Sequence, residues 1–315
     1  MVSARASAPG KVILFGEHAV VYGEPAIAVA LNLRTEVTVR ETQGERGHRV
    51  NGAPMNQHQH AYIKDAVENL WKGAFLDIRT ESRLPSASGL GSSAALSVAT
   101  TAAILQAQGR FSEELVAREA YNAEWSAQKG RGSPTDTSTA THGRAVLVDR
   151  EKGPGFLWDI QRGERHWYLH HLEMPPLTLV IGYTGQRGRT ADEVAKVARF
   201  VKRGAFAREI MRDLGKLTRE ARQLIEDREK LALGVCMDEA HNLLTVLGVS
   251  TKKLDELCDA ARQHAYGAKL TGSGGGGSMI ALTDEPEACA KAIAKHGGIP
   301  TIVNLGGAGV QASTL

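Results

Sequence analysis

The stretch that most constrains the fold of this chain is residues 85–96, PSASGLGSSAAL, together with the segment that follows it. Residues 93–108 are apolar or small on nearly every side, which predicts a buried helix that ends at Gly109. A loop of glycines and hydroxyl residues that leads into such a helix is typical of an anion site, because loop N–H groups and the helix N-terminus both attract negative charge. The alternative is a simple turn that caps a buried helix.

The hydroxyl groups of this loop indicate a phosphate ligand. Ser92 and Ser93 stand at the predicted start of the helix, where they can offer oxygen atoms to phosphate or to a magnesium ion. The loop is not a Walker A loop, because no Gly-Lys-Ser or Gly-Lys-Thr follows its glycines. The sequence therefore predicts a phosphate-binding loop of another kind.

Length and charge narrow the class of protein. At about 150 residues per domain, a chain of 315 residues favours two domains. The formal net charge of +3 and the pI of about 8.7 suit an anionic substrate but are too small to indicate nucleic-acid binding. Charges of both signs alternate along residues 191–230, as on solvated helix faces, so we expect no nucleic-acid partner.

Three widely spaced cysteines, Cys236, Cys258 and Cys289, show neither a disulfide framework nor zinc-ligand spacing. We therefore expect a cytoplasmic protein. No apolar run approaches the roughly 18 residues of a membrane span, and the N-terminus lacks a signal-peptide apolar region, so no membrane partner is expected.

Hydrophobic periodicity and turn residues predict an α+β chain. Strands are predicted at residues 12–15, 26–33, 35–40, 75–80, 144–148, 178–183, 279–282 and 301–304. Helices are predicted at residues 61–71, 93–108, 112–128 and 286–296, and the pattern over residues 191–264 is helical. Residues 44–60 and 130–137 are predicted as loops, and residues 149–176 as a short hairpin with a linker.

Residues 8–23, APGKVILFGEHAVVYG, place charged groups at both ends of a predicted strand. Lys11 lies where the apolar run starts, and Glu17 and His18 follow it, so both ends can border one cleft. The alternative is a surface lysine and a solvated turn.

Two further loops carry candidate chemistry. Asp136 lies in residues 132–137, GSPTDT, where it can be a general base or only a turn-forming residue. Residues 269–277, KLTGSGGGG, contain four consecutive glycines, which are costly to order. That cost favours a packed loop beside a ligand over a flexible linker.

In this order, the motifs APGKVILFGEHAVVYG, PSASGLGSSAA and KLTGSGGGG resemble those of the GHMP kinase superfamily over nearly the whole chain. Within it, GEHAVVYG and the Asp136 loop are similar to the mevalonate kinase family in its archaeal form. The resemblance implies a two-lobed α+β fold. An N-terminal lobe at residues 1–172 would resemble domain 2 of ribosomal protein S5, and a C-terminal lobe at residues 173–315 would be ferredoxin-like.

The same resemblance implies a kinase that uses ATP and Mg²⁺ to phosphorylate the 5-hydroxyl of the small molecule mevalonate in isoprenoid biosynthesis, and it implies a homodimer. Another small-molecule kinase of the superfamily (for phosphomevalonate, a sugar or homoserine) and a catalytically silent nucleotide sensor stay open as alternatives. The resemblance also assigns a set of residues to the ATP phosphates. These are Pro85, Ser86, Ala87, Ser88, Gly89, Leu90, Gly91, Ser92, Ser93, Ala94 and Ala95.

For the reaction itself, the resemblance implies that Asp136 acts as base or orients the hydroxyl, and that Lys11 stabilises both Asp136 and the phosphoryl group. Ser93 matches a magnesium ligand. Glu124 is the best match to the glutamate that completes this metal site, with Glu119 as a substitute. Lys129 stands as an apparent insertion that lengthens the spacing from Glu124 to Asp136.

Three residues match the substrate side of the family's site: Glu17, His18 and Thr190. For His18 the alternative is that it only braces its loop. Arg187 and Arg189 lie just before Thr190. They are candidates to pair with the mevalonate carboxylate or with phosphate. Residues 272–277 match a motif that packs beside the nucleotide.

Overall fold

The computed structural model describes residues 2–43, 47–84, 88–128, 130, 132–188 and 190–315. The strands are β1 Ser3–Phe15, β2 Ala26–Glu41, β3 Arg49–Val50, β4 Ala53–Pro54, β5 Leu76–Ser82, β6 Ala145–Asp149, β7 Phe156–Arg162, β8 Arg165–Leu172, β9 Thr178–Tyr183, β10 Gly267–Thr271, β11 Ser278–Leu282, β12 Ile299–Asn304 and β13 Gln311–Thr314. The helices are α1 Gln57–Leu70, α2 Ser92–Ala107, α3 Glu113–Ala127, α4 Thr135–His142, α5 Thr190–Arg203, α6 Ala205–Glu226, α7 Lys230–Val246, α8 Lys252–Arg262 and α9 Pro286–Lys295.

The first sheet is organised around the long strand β2. β2 pairs antiparallel with β1 along most of its length, with β5 through residues 35–41 and with β6 through residues 26–29. Branched residues such as Val37 and Val39 favour this extended conformation. The sequence predicts two strands here, but Arg34 continues the extended backbone between them and one strand results.

Helix α2 packs against β1, β2 and three other helices, so that it has almost no solvent-facing side. Residues 97–105 are all buried. Because a helix that is apolar all round has no polar face to turn to water, burial on every side is the expected outcome. The prediction of a buried helix is confirmed, and it places the helix N-terminus against β1.

The second sheet has four antiparallel strands in the order β10-β11-β9-β12. Helices α8 and α9 pack against it, and α7 packs against β10. The sheet belongs to a large apolar core that also includes Val12, Leu14 and Ile27 of the first sheet. This shared core holds β10 close to β1.

Several predicted boundaries are wrong. Residues 47–60 contain β3, β4 and the start of α1 rather than a loop; two-residue strands are too short to show a period. Asn56 begins α1 by accepting a hydrogen bond from the Gln59 N–H at 2.9 Å. The predicted hairpin at 149–176 is confirmed as β7 and β8. Strand β13, which pairs with β1, was not predicted.

Residues 135–137 are also not a loop, because α4 begins at Thr135. The sequence of α4, TDTSTATH, has poor intrinsic helix propensity. Burial compensates: Thr139 and Thr141 donate hydroxyl hydrogen bonds to the carbonyls four residues earlier, at 2.7 and 2.8 Å. Asp136 therefore stands in the first turn of a buried helix.

Among the described residues, no helix combines the length and apolarity needed to cross a membrane. The division of the chain between residues 172 and 173 stays a prediction.

Candidate functional site

A cleft with a volume of about 520 Å³ opens between the two sheets. Its walls are β1 and the turn after it, the start of α1, the glycine loop before α2, one face of α3, the start of α4 and residues 271–277. The three sequence motifs and the Asp136 segment, far apart in the chain, therefore meet at one site.

The glycine loop forms the wall at the N-terminus of α2. Gly91 is the N-cap residue, with φ of +74°. A Cβ there would lie 2.8 Å from Cγ of Lys11, so the close approach of the loop to β1 requires glycine. Ser88, Gly89, Gly91, Ser92 and Ser93 line the cleft.

The remaining residues of the predicted phosphate loop lie elsewhere. Leu90, Ala94 and Ala95 are buried in the apolar core behind the loop. Leu90 contributes through its backbone, because its carbonyl accepts a hydrogen bond from the Lys11 N–H at 2.9 Å. Pro85, Ser86 and Ala87 lie outside the described residues.

Lys11 and Asp136 form an ion pair across the cleft. The Nζ of Lys11 lies 3.1 Å from Oδ2 of Asp136, and the Lys11 side chain is only 3% exposed, whereas that of Asp136 is 30% exposed. The Lys11 ammonium also donates a hydrogen bond to the Gly89 carbonyl at 3.4 Å. A buried cation thus faces both a carboxylate and the glycine loop, while the carboxylate stays open to the cleft.

Glu124 of α3 lies in the same cleft and is almost fully buried. Its burial, together with the nearby Asp136 carboxylate, raises the pKa of Glu124 to about 8, and Lys11 only partly opposes this shift. Gln128 Nε2 donates a hydrogen bond to Glu124 Oε1 at 2.9 Å. Glu119 instead accepts a hydrogen bond from Asn122 and does not line the cleft, so of the two candidates Glu124 is the one at this site. Lys129 lies outside the described residues.

The loop of consecutive glycines is packed, as expected. A Cβ on Gly274 would lie 2.1 Å from the Val249 carbonyl oxygen, and Gly277 donates a backbone hydrogen bond to Gln186 at 2.8 Å. Ser278 Oγ donates to the Ser88 carbonyl at 2.7 Å. The contact between Ser278 and Ser88 holds this loop against the glycine loop that precedes α2.

The residues predicted on the substrate side separate into two groups. His18 and Thr190 line the cleft and share one partner: Ser273 accepts from His18 Nε2 through its carbonyl at 3.0 Å and donates to Thr190 through its hydroxyl at 3.2 Å. Glu17 does not line the cleft; it is buried and paired with Lys269.

Of the two arginines near Thr190, the structure describes Arg187. Arg187 is exposed and is not among the lining residues. Arg189 lies outside the described residues.

Several residues on the helices line the cleft but were not predicted to do so. Gln59 and Tyr62 of α1, which lie on either side of a kink at His60, reach the cleft, as does Tyr121 of α3. Burial raises the pKa of Tyr62, and its hydrogen bonds to Ser93 and Gln128 oppose that shift. Gln59 was predicted in a loop, because the predicted helix starts at residue 61.

His18 provides a test of the site's electrostatics. Burial lowers the pKa of His18 to about 4, so the imidazole should stay neutral and donate through Nε2 to Ser273 across pH 5.5–8. Below pH 6.5 the unfolded chain binds a proton that the folded chain does not. The free energy of unfolding should therefore fall by about 3 kcal/mol between pH 6.5 and 4.

We expect the NMR signal of the His18 ring to show no titration above pH 5.5. Denaturant unfolding of His18→Gln, which keeps an N–H donor for Ser273, should lose this part of the pH dependence. A midpoint for His18 above pH 6 would contradict the prediction.

Comparisons with known proteins agree with this geometry. The chain matches the family model described as "GHMP kinases N terminal domain" over residues 61–144 and "GHMP kinases C terminal" over residues 207–298. It is 34% identical to the mevalonate kinase of Pyrococcus furiosus over 97% of each chain. It is 37% identical to that of Methanothermobacter thermautotrophicus over 88% of this chain and 89% of the relative.

The chain is also similar in structure to a solved mevalonate kinase. The crystal structure of L. major mevalonate kinase in complex with R-mevalonate is similar with a TM-score of 0.79, at 26% identity over 96% of each chain. The predicted α+β GHMP kinase fold is thereby confirmed. The chain belongs to the mevalonate kinase family of the GHMP kinases.

Proposed function

We propose that this chain transfers the γ-phosphoryl group of ATP to the 5-hydroxyl of (R)-mevalonate, giving 5-phosphomevalonate and ADP. The observation that carries the proposal is the Lys11–Asp136 pair, 3.1 Å apart, in the cleft that the N-terminus of α2 also lines. A kinase needs a positioned proton acceptor, a cation near the transferred group and a cradle for phosphates. This cleft offers all three.

The ATP phosphates lie along the wall formed by Ser88–Ser93 in this proposal. The N–H groups at the start of α2 and the hydroxyl groups of Ser92 and Ser93 supply hydrogen-bond donors for phosphate oxygens. Gly89 and Gly91 have no side chain, so the nucleotide can approach the backbone closely there. Positioning by fixed donors is the main contribution that a protein makes to phosphoryl transfer.

In the chemical step, the C5 oxygen of mevalonate forms a bond to the γ-phosphorus as the bond to the β,γ-bridging oxygen breaks. The hydroxyl proton passes to the Asp136 carboxylate, which is the open carboxylate of the cleft. The Lys11 ammonium, which is paired with the Asp136 carboxylate at 3.1 Å, offsets charge that develops on the phosphoryl oxygens. ADP then leaves with the electron pair of the broken bond.

The residues present fit a magnesium ion. Glu124 is a buried carboxylate beside the Asp136 carboxylate, and Lys11 only partly compensates for their mutual repulsion. A further cation would relieve this repulsion, and oxygen ligands are those that Mg²⁺ prefers. We assign Ser93 and Glu124 to hold it. When bound, the ion neutralises phosphate charge, whereas Gln128 orients the Glu124 carboxylate.

His18 and Thr190 are assigned to mevalonate, since both line the cleft and share Ser273. Apolar residues of the same wall, Val20 and Val21, offer a surface for the methyl and methylene groups of the substrate. Glu17 is left out of the binding residues because it does not reach the cleft.

A substrate panel tests the proposal. The purified protein with ATP and Mg²⁺ should release ADP when mevalonate is added, and not with phosphomevalonate, galactose or homoserine. Phosphorus NMR should show a phosphate monoester on the product. ADP release with one of the other acceptors, or none with mevalonate, would reject the proposal.

Three further points stay predictions: a homodimer, a cytoplasmic location and the lobe boundary at residue 172. Light scattering on the purified protein measures the first. Limited proteolysis near residues 173–177 addresses the last.

A further inference from the structure

The hydroxyl group of Tyr121 is buried without a partner. Within the described part of the chain, its Oη makes no hydrogen bond, and the residue is 1% exposed. Among all such unpartnered buried atoms of the described residues, it is the one that belongs to a residue lining the cleft. Low exposure is common along the cleft wall, since Lys11 and Glu124 are 2% and 4% exposed. Because an unsatisfied buried hydroxyl lowers stability, we expect its partner to come from a molecule bound in the cleft.

Aromatic packing fixes the Tyr121 ring. The ring centroid of Trp125, one turn further along α3, lies at 5.8 Å, and the Trp167 ring of β8 meets it edge-on at 6.2 Å. Trp167 Nε1 also donates a hydrogen bond to the Val20 carbonyl at 3.3 Å. Val20 lines the cleft and belongs to the same apolar cluster as Tyr121. The hydroxyl is therefore held in place beside the apolar surface assigned above to the methyl and methylene groups of mevalonate.

The position of Tyr121 on α3 suits one end of that substrate. Tyr121 lies three residues before Glu124, so that both face the cleft from one side of the helix. Glu124 lies beside Asp136, which receives the proton of the 5-hydroxyl in the proposed reaction. The carboxylate of mevalonate is at the opposite end of the carbon chain from that hydroxyl. A position one helical turn away from Glu124 therefore suits the carboxylate end.

The groups around the Tyr121 ring are donors. Cζ of Arg162 on β7 lies 6.0 Å from the ring centroid, and the buried Nε of Arg162 also lacks a partner among the described residues, although Arg162 does not line the cleft. Burial and the neighbouring Glu124 raise the pKa of Tyr121, so the phenol keeps its proton and can donate it to a hydrogen bond. A donor beside a positive charge favours an anionic acceptor, such as a carboxylate.

We propose that Tyr121 is a substrate-binding residue whose hydroxyl donates a hydrogen bond to the carboxylate of mevalonate. This inference rests on the proposed function and adds to it the group that recognises the end of the substrate remote from the phosphorylated hydroxyl. Tyr121 thereby selects acceptors that carry a carboxylate at that end.

Tyr121→Phe tests the inference, because it removes the hydroxyl and keeps the ring. The KM for mevalonate should rise about tenfold or more, whereas kcat and the KM for ATP should change less than about threefold. The denaturant midpoint should stay the same or rise, since the hydroxyl that is lost had no partner. Tyr266→Phe, which removes a hydroxyl that donates to Asp284 at 2.7 Å away from the cleft, is the matched control and should keep both KM values.

Mevalonamide, which has a neutral amide in place of the carboxylate, identifies the group that is bound. Calorimetry should show that the wild-type protein binds mevalonate more tightly than mevalonamide, and Tyr121→Phe should reduce this preference at least about fivefold. An unchanged KM for mevalonate in Tyr121→Phe, a raised KM for ATP instead, or an undiminished preference for mevalonate over mevalonamide would each overturn the inference. Lack of mevalonate turnover by the wild-type protein would instead reject the proposed function.

Discussion

Asp136→Asn should lower kcat by about 10²–10⁴-fold, because the amide keeps the shape of the side chain but cannot accept the proton of the attacking hydroxyl. The KM for ATP should change little, since Ser88–Ser93 and the N-terminus of α2 are untouched. Steady-state kinetics with mevalonate and ATP measure both quantities. Asp213→Asn, which removes a carboxylate from an exposed pair with Lys216, is the control and should keep kcat.

Comparison with Asp136→Ala separates the two roles left open for this residue. An asparagine oxygen still accepts a hydrogen bond and can orient the hydroxyl, whereas alanine cannot. If Asp136 takes the proton, both variants should be similarly slow. If it mainly orients, Asp136→Asn should be much faster than Asp136→Ala. Wild-type turnover in both variants would contradict a place for Asp136 in the reaction.

Glu124→Gln should change stability and activity in opposite directions. The pKa of Glu124 is about 8 in the folded protein, against 4.5 as its ordinary value, so the unfolded chain loses this proton first as pH rises. The free energy of unfolding of the metal-free protein therefore falls from pH 4.5 to 8, by up to about 5 kcal/mol. Glutamine removes that loss and can still accept the hydrogen bond from Gln128.

We therefore expect Glu124→Gln to be more stable than the wild-type protein at pH 8 without metal, with the difference vanishing towards pH 4.5. Its kcat/KM should fall by about 10² or more, because a ligand assigned to the magnesium ion is lost. Denaturant unfolding at several pH values and Mg²⁺ titrations of activity measure the two effects. Glu119→Gln on the same helix is the control. Lower stability of Glu124→Gln at pH 8, or activity retained at ordinary Mg²⁺ concentrations, would contradict the assignment.

The sequence predicted the fold well where the pattern was local and strong. The apolar run of α2 and the boundaries of β9 carry their own period or turn residues, so the predicted and observed elements agree closely. Helix α4 was not predicted, and residues 135–137 were predicted as part of a loop, because this threonine-rich sequence has weak helix propensity. Its helix depends on burial against other elements, which no local pattern reports.

The candidate site was likewise predicted in part from local motifs, while the rest depended on how the helices pack. The motifs were sufficient to select Lys11, Ser93 and Asp136, and the structure brings all three to one cleft. They favoured Glu124 but left Glu119 open, because both lie on α3 and only the packing of that helix decides which faces the cleft. Tyr62 was missed because no motif marks a residue on a neighbouring helix.

By itself, the sequence determined the family and the chemical groups, since glycine loops, helix starts and charged residues act through short-range backbone geometry. Only the tertiary structure decided which charges meet. Glu17 and His18 are adjacent in the chain, yet the turn after β1 points His18 to the cleft and Glu17 to Lys269, 252 positions away. The pairing of Glu17 depends on β10 packing against β1, and such long-range contacts arise from burial of the shared core rather than from any pattern within a motif.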